Sequence, residues 1–127
     1  MTKKAKIESI EPVLQAKDVA KSVDFYTEKL GFKLHGYDNP EKPMYAVISR
    51  DGVVLHIQWH DPSHWEDEKI DRPMLRFVVP EIELLYEEFS DKGVFHEQTA
   101  LRETPWGTKE FAFFDGNLNG LTFYKDL

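Results

Sequence analysis

The chain has 127 residues, 41% of them hydrophobic and 13% aromatic, enough for one well-packed domain. A net charge of −7 excludes the basic face that nucleic acid requires and suits a cationic small molecule better. There is no cysteine, so disulfides, thiolate metal sites and cysteine nucleophiles are excluded; without a signal-peptide core or a membrane-length apolar run, a soluble cytoplasmic protein with no membrane partner is expected. In chain order, Val13 to Ala16 reads as a strand, and Asp18 as the N-cap of a helix whose Val19, Val23, Tyr26 and Leu30 share one face until Gly31 stops it. Strands are predicted over 32–37 and 45–49, with a loop carrying Pro40 and Pro43 between them. Asp51-Gly52 then makes a tight turn into Val53 to His60, where Leu55, Ile57 and Trp59 point one way and His56, Gln58 and His60 the other.

Residues 61–73 are polar and bounded by prolines, which marks a connector; its acidic cluster Glu66-Asp67-Glu68 reads as solvated. The pattern then restarts. Met74 to Val79 reads as a strand, and Pro80-Glu81 opens a helix with Ile82, Leu85, Tyr86 and Phe89 on one face. Gly93 ends it, and strands are predicted around 95–98, 109–114 and 121–125. Val19 and Ile82 stand 63 positions apart and Gly31 and Gly93 stand 62 apart, so the chain is an internal repeat: one module over about 8–60, the connector over 61–73, and a second module over 74–127. Two βαβββ modules give an α+β fold in which the sheets curl around a cavity and the helices lie outside.

Three segments carry a family likeness: PVLQAKDVAKSVDFYTEKLGF over 12–32, ELLYEEFS over 83–90 and PWGTKEFAFFD over 105–115. With the repeat, they resemble the vicinal oxygen chelate superfamily of glyoxalases, fosfomycin-resistance enzymes, extradiol dioxygenases and bleomycin-resistance proteins, and most of all the last. The resemblance implies homodimers that exchange N-terminal strands at a proline matched by Pro12, with two ligand grooves at the subunit interface. It also implies antibiotic sequestration without catalysis, with Tyr45 and Trp106 as aromatics that sandwich a flat cationic ligand of the bleomycin type.

The metal enzymes of that superfamily need a ligand at one position on each of four strands, and those slots fall here on Glu11, His56, Met74 and Thr122. Met74 is a soft thioether and Thr122 a neutral hydroxyl, both poor ligands for hard divalent ions, so no cofactor is expected and the reading is binding rather than catalysis. The competing reading is a metal-dependent lyase, isomerase or dioxygenase of the same fold that uses Glu11 and His56 with further ligands such as Gln15 or His60. His56, Gln58 and His60 share a strand face, the pattern of a lined cavity or of a solvated outer face, and Arg76, on the face of the Met74 slot, is a candidate partner for Glu11 unless both stand at sheet ends in water. Phe111, Phe113, Leu121 and Phe123 read as core. The superfamily's Asp-Pro-x-Gly-Asn turn is replaced by Asp115-Gly116-Asn117-Leu118-Asn119-Gly120, which lacks the proline.

Overall fold

A computed structural model describes residues 4–65 and 74–127. Among the described residues, eight strands and two principal helices run in the order β1 (Val13–Ala16), α1 (Val19–Asp24), β2 (Lys33–Tyr37), β3 (Tyr45–Arg50), β4 (Val53–Trp59), β5 (Met74–Val78), α2 (Ile82–Ser90), β6 (Arg102–Glu103), β7 (Thr108–Phe114) and β8 (Gly120–Asp126). They form two separate four-stranded mixed sheets, ordered β1-β4-β3-β2 and β5-β8-β7-β6. In each, the first strand of the module runs parallel to the last and the remaining pairs are antiparallel, so the α+β repeat is present in the topology.

The local signals act as their chemistry requires. Asp18 caps α1 by accepting the Lys21 N–H at 3.1 Å. After Asp24 the helix widens into a π-helical turn, Phe25–Lys29, and Gly31 leaves it with φ 76°. Asp51 and Gly52 both take positive φ, 52° and 81°, which sets the tight hairpin between β3 and β4. The inward faces of the helices and sheets merge into one core, in which Tyr26, Phe89, Phe111 and Phe113 are the largest fully buried side chains. Phe111, Phe123, Phe113 and Phe89 stack or meet edge to face around it.

One expectation needs correction. The strand predicted around 95–98 does not form: the Thr99 N–H returns to the His96 carbonyl and the Thr99 hydroxyl accepts the His96 N–H, closing a turn, and the edge strand is instead the short β6. Trp59 lies on the face of Leu55 and Ile57, as expected, and is over one-third exposed at the strand end. The connector opens with a helical turn, Pro62–Trp65; its acidic cluster Glu66-Asp67-Glu68 lies outside the described residues.

Two cross-braces tie the modules together. Arg50, at the end of β3, donates to both oxygens of Glu88 on α2 at 2.8 and 3.0 Å and to the Leu30 carbonyl, and the Glu88 hydrogen bond raises its already high pKa. In the other direction, Asp115, just beyond β7, accepts the Tyr26 hydroxyl at 2.7 Å inside the core. Burial first, then the Asp115 charge, pushes the Tyr26 phenol well above its ordinary pKa, so it stays a donor. Asp115 also accepts the Asn117 and Asn119 N–H groups and the Asn119 amide, while Leu118 adopts φ 63°. The carboxylate therefore organises the turn that has no proline, and the Asn119 amide carries the link on to the Gln15 carbonyl of the first module.

Candidate functional site

Strand alternation places one face of each sheet toward its helix and leaves the other open, and the registers arrange the open faces in matching rows. In the first module the middle row runs Val13, His56, Val47, and the next Gln15, Gln58, Tyr45. In the second module the corresponding rows run Arg76, Thr122, Ala112 and Val78, Tyr124, Glu110, and beside them lies Met74, Gly120, Phe114. His56 and Thr122 thus occupy the same place in the two halves.

Around His56 the side chains are tightly connected. Its Nε2 lies 2.7 Å from Glu11 Oε1 and its Nδ1 2.7 Å from the Tyr45 hydroxyl, with the Tyr45 ring edge-on to the imidazole at 5.4 Å. Tyr45 itself is fixed from behind by Asp38, whose Oδ1 accepts the backbone N–H groups of Met44 and Tyr45. The Met44 hydrogen bond is the main reason that the Asp38 carboxyl titrates below its usual range. Gln58 is exposed on β4, and His60, just beyond the end of the strand, is half-buried.

The second face is organised differently. Arg76 donates to Glu110 Oε2 at 3.0 Å and lies over the Tyr124 ring, its guanidinium carbon 4.3 Å from the centroid. Glu110 also accepts the Thr108 hydroxyl at 2.8 Å. The partner expected for Glu11 was Arg76; Glu11 pairs with His56 instead, because the register sets Arg76 beside Tyr124 and Glu110 within its own sheet. Met74 lies over Gly120, where a Cβ would stand 1.9 Å from its sulfur, and Phe114 flanks the same glycine. Glu110, Tyr124 and Phe114 were missed by the sequence reading, although the i, i+2 spacing of Glu110, Ala112 and Phe114 carries the signal.

Trp106 sits in the turn before β7, next to Gly107 at φ 87°, and is 68% exposed. A depression of about 600 Å³ lies elsewhere, between the modules; Arg50, Arg76, Phe77, Leu84 and Glu88 are among the residues that line it, whereas Tyr45, His56, Gln58, His60 and Trp106 are not. A second depression of about 360 Å³ adjoins it and is lined by 9–12, including Glu11.

Of the four slots, Glu11 and His56 carry competent donor groups that face each other, whereas Met74 offers a soft sulfur and Thr122 a buried neutral hydroxyl. Among the described residues, no three His, Asp or Glu side chains gather into a metal-holding group. Also among them, no helix is long and apolar enough to cross a membrane.

The profile of the glyoxalase/bleomycin resistance protein/dioxygenase superfamily matches residues 6–123. The chain belongs to that superfamily. Among its relatives is a bleomycin resistance protein of Geobacillus stearothermophilus, 26% identical, with 91% of this chain and 95% of the relative aligned. The fold is shared with the bleomycin-binding protein of Streptomyces verticillus, solved with copper(II)-bleomycin, at a TM-score of 0.77 and 24% identity over 98% of this chain and 100% of that one. The bleomycin resistance determinant of transposon Tn5 has the same fold, at a TM-score of 0.78 and 17% identity over 94% of this chain and 98% of that one.

Proposed function

We propose that this superfamily member binds and sequesters a planar, cationic small molecule of the bleomycin type, acting in the cytoplasm as a homodimer and making or breaking no bond in its ligand. The observation that carries this reading is the contrast between a donor set unsuited to catalytic metal and an open, aromatic binding surface. Trp106 stands 68% exposed, where a large aromatic needs a reason, and Met74, Val78 and Phe114 leave apolar surface on the second module's open face. The Geobacillus stearothermophilus relative, whose name is bleomycin resistance protein, supports the ligand class.

Dimerisation would bring together what a single chain holds apart, since Tyr45, His56, Gln58, His60 and Trp106 do not line the depression between the modules that Arg76 lines. The arm before β1 supports it: Ile7 and Ile10 are each 90% exposed, an apolar pair that a partner subunit would cover. Tyr45 and Trp106 then stack on the ligand, while Gln58, His60 and Arg76 supply polar contacts at the groove.

Titration calorimetry with metal-free and copper(II)-loaded bleomycin tests the reading. The native protein should bind at least one form, and Trp106→Ala should weaken binding about tenfold, as expected for the loss of a stacking surface together with its cation–π contribution. No heat with either form would refute sequestration. Sedimentation at micromolar concentration should give a dimer; a monomer would remove the shared groove.

A further inference from the structure

The chain from Glu11 through His56 to Tyr45 fixes more than position. A carboxylate can only accept, so in the neutral imidazole the proton belongs on Nε2, facing Glu11 at 2.7 Å. Nδ1 then carries a lone pair, and the Tyr45 hydroxyl, 2.7 Å away, must donate to it. With its proton committed, the phenol oxygen has only lone pairs left for anything that approaches the open face. Its row neighbours, Gln58 and Gln15, bring no positive charge, and Glu11, 45% exposed, adds a negative one to the adjoining row. The second module has no equivalent: its matching residue is Glu110, already bound to Arg76 and Thr108.

We propose that the Tyr45 hydroxyl, polarised through His56 by Glu11, is an obligate hydrogen-bond acceptor that makes the first-module face select ligands presenting an N–H donor, a protonated amine or guanidinium, over donor-free cations of equal charge. The proposal rests on the sequestration reading and assigns Tyr45 a polar role beyond stacking. Tyr45 touches the ligand, whereas His56 and Glu11 are positioning residues.

Two synthetic probes test it: a bithiazole carboxamide ending in a primary ammonium, and the same molecule ending in trimethylammonium. Native protein should prefer the ammonium probe about tenfold, the scale of one charge-assisted hydrogen bond. Tyr45→Phe should reduce the ratio of the two affinities to near one, and His56→Leu, which frees the Tyr45 proton, should lower it as well. Because the readout is a ratio within each variant, a general loss of affinity or folded fraction does not imitate the effect. Long-range 1H–15N spectra of the native protein at neutral pH should show the His56 proton on Nε2. Binding of both probes without preference, a preference that survives both substitutions, or a proton on Nδ1 would overturn the proposal and leave sequestration standing. Failure of both probes to bind would overturn sequestration together with it.

Discussion

In the first module the middle of the open face carries His56, held between Glu11 and Tyr45; in the second, the same backbone position carries Thr122, flanked by Arg76 and Ala112. The strand order and pairing are the same in both halves, so the backbone does not decide how the two faces differ. The difference lies in how the polar groups are satisfied. The first module spends its charged groups on orienting a tyrosine, whereas the second ties Arg76 to Glu110 and Tyr124 and surrounds a glycine with Met74 and Phe114. A duplicated fold can thus keep a paired architecture while one half presents a polar hydrogen-bonded cluster and the other exposes apolar side chains.

The cross-braces differ in the same way, and breaking them should separate buried from exposed chemistry. The largest effect is expected from Asp115→Ala, which leaves Tyr26 and Asn119 without their buried acceptor; unfolding by denaturant should show a loss of about 3 kcal/mol. Gly31→Ala comes next, at about 1 kcal/mol in the same assay, because φ 76° strains any Cβ and this one would also press on Arg50 Nη1 at 3.0 Å. Glu88→Ala, which removes the partly exposed brace to Arg50, should cost about 0.5 kcal/mol. If Glu88→Ala cost more than Asp115→Ala, the contrast between the braces would be wrong.

Much of the fold could be read because its signals are local. Asp18, Gly31, Asp51-Gly52 and Gly93 each act within a few residues, and the alternation of β4 and β8 needs only period two. The side-chain pairing could not be read in the same way. Alternation puts Glu11 and Arg76 on open faces but does not say that Arg76 will meet Tyr124 in a neighbouring strand, nor that Glu11 will reach a histidine 45 residues away. Tyr26 was legible as core from its helical spacing, while its hydroxyl partner, 89 residues away, depends on how the modules dock. The missing strand near His96 has a different cause, since a side-chain hydroxyl competed successfully for the backbone.

The smallest predicted effect concerns the support of Tyr45. The Met44 N–H holds the Asp38 carboxyl below its ordinary pKa of 3.8, so its contribution to stability is complete above pH 3.8 and is lost as the pH falls through the lower folded value. Thermal unfolding of the native protein and Asp38→Asn should therefore differ at pH 6 and converge at pH 2. A difference that persists at low pH would assign the effect to something other than the carboxylate.

The central claim is retention without chemistry. Equilibrium dialysis of bleomycin against the protein, followed by release under denaturing conditions and mass spectrometry of the recovered drug, tests it most directly. Retention should be saturable at one molecule per groove, with the drug recovered at unchanged mass. Absence of retention, or drug recovered with an altered mass in amounts exceeding the protein present, would contradict it.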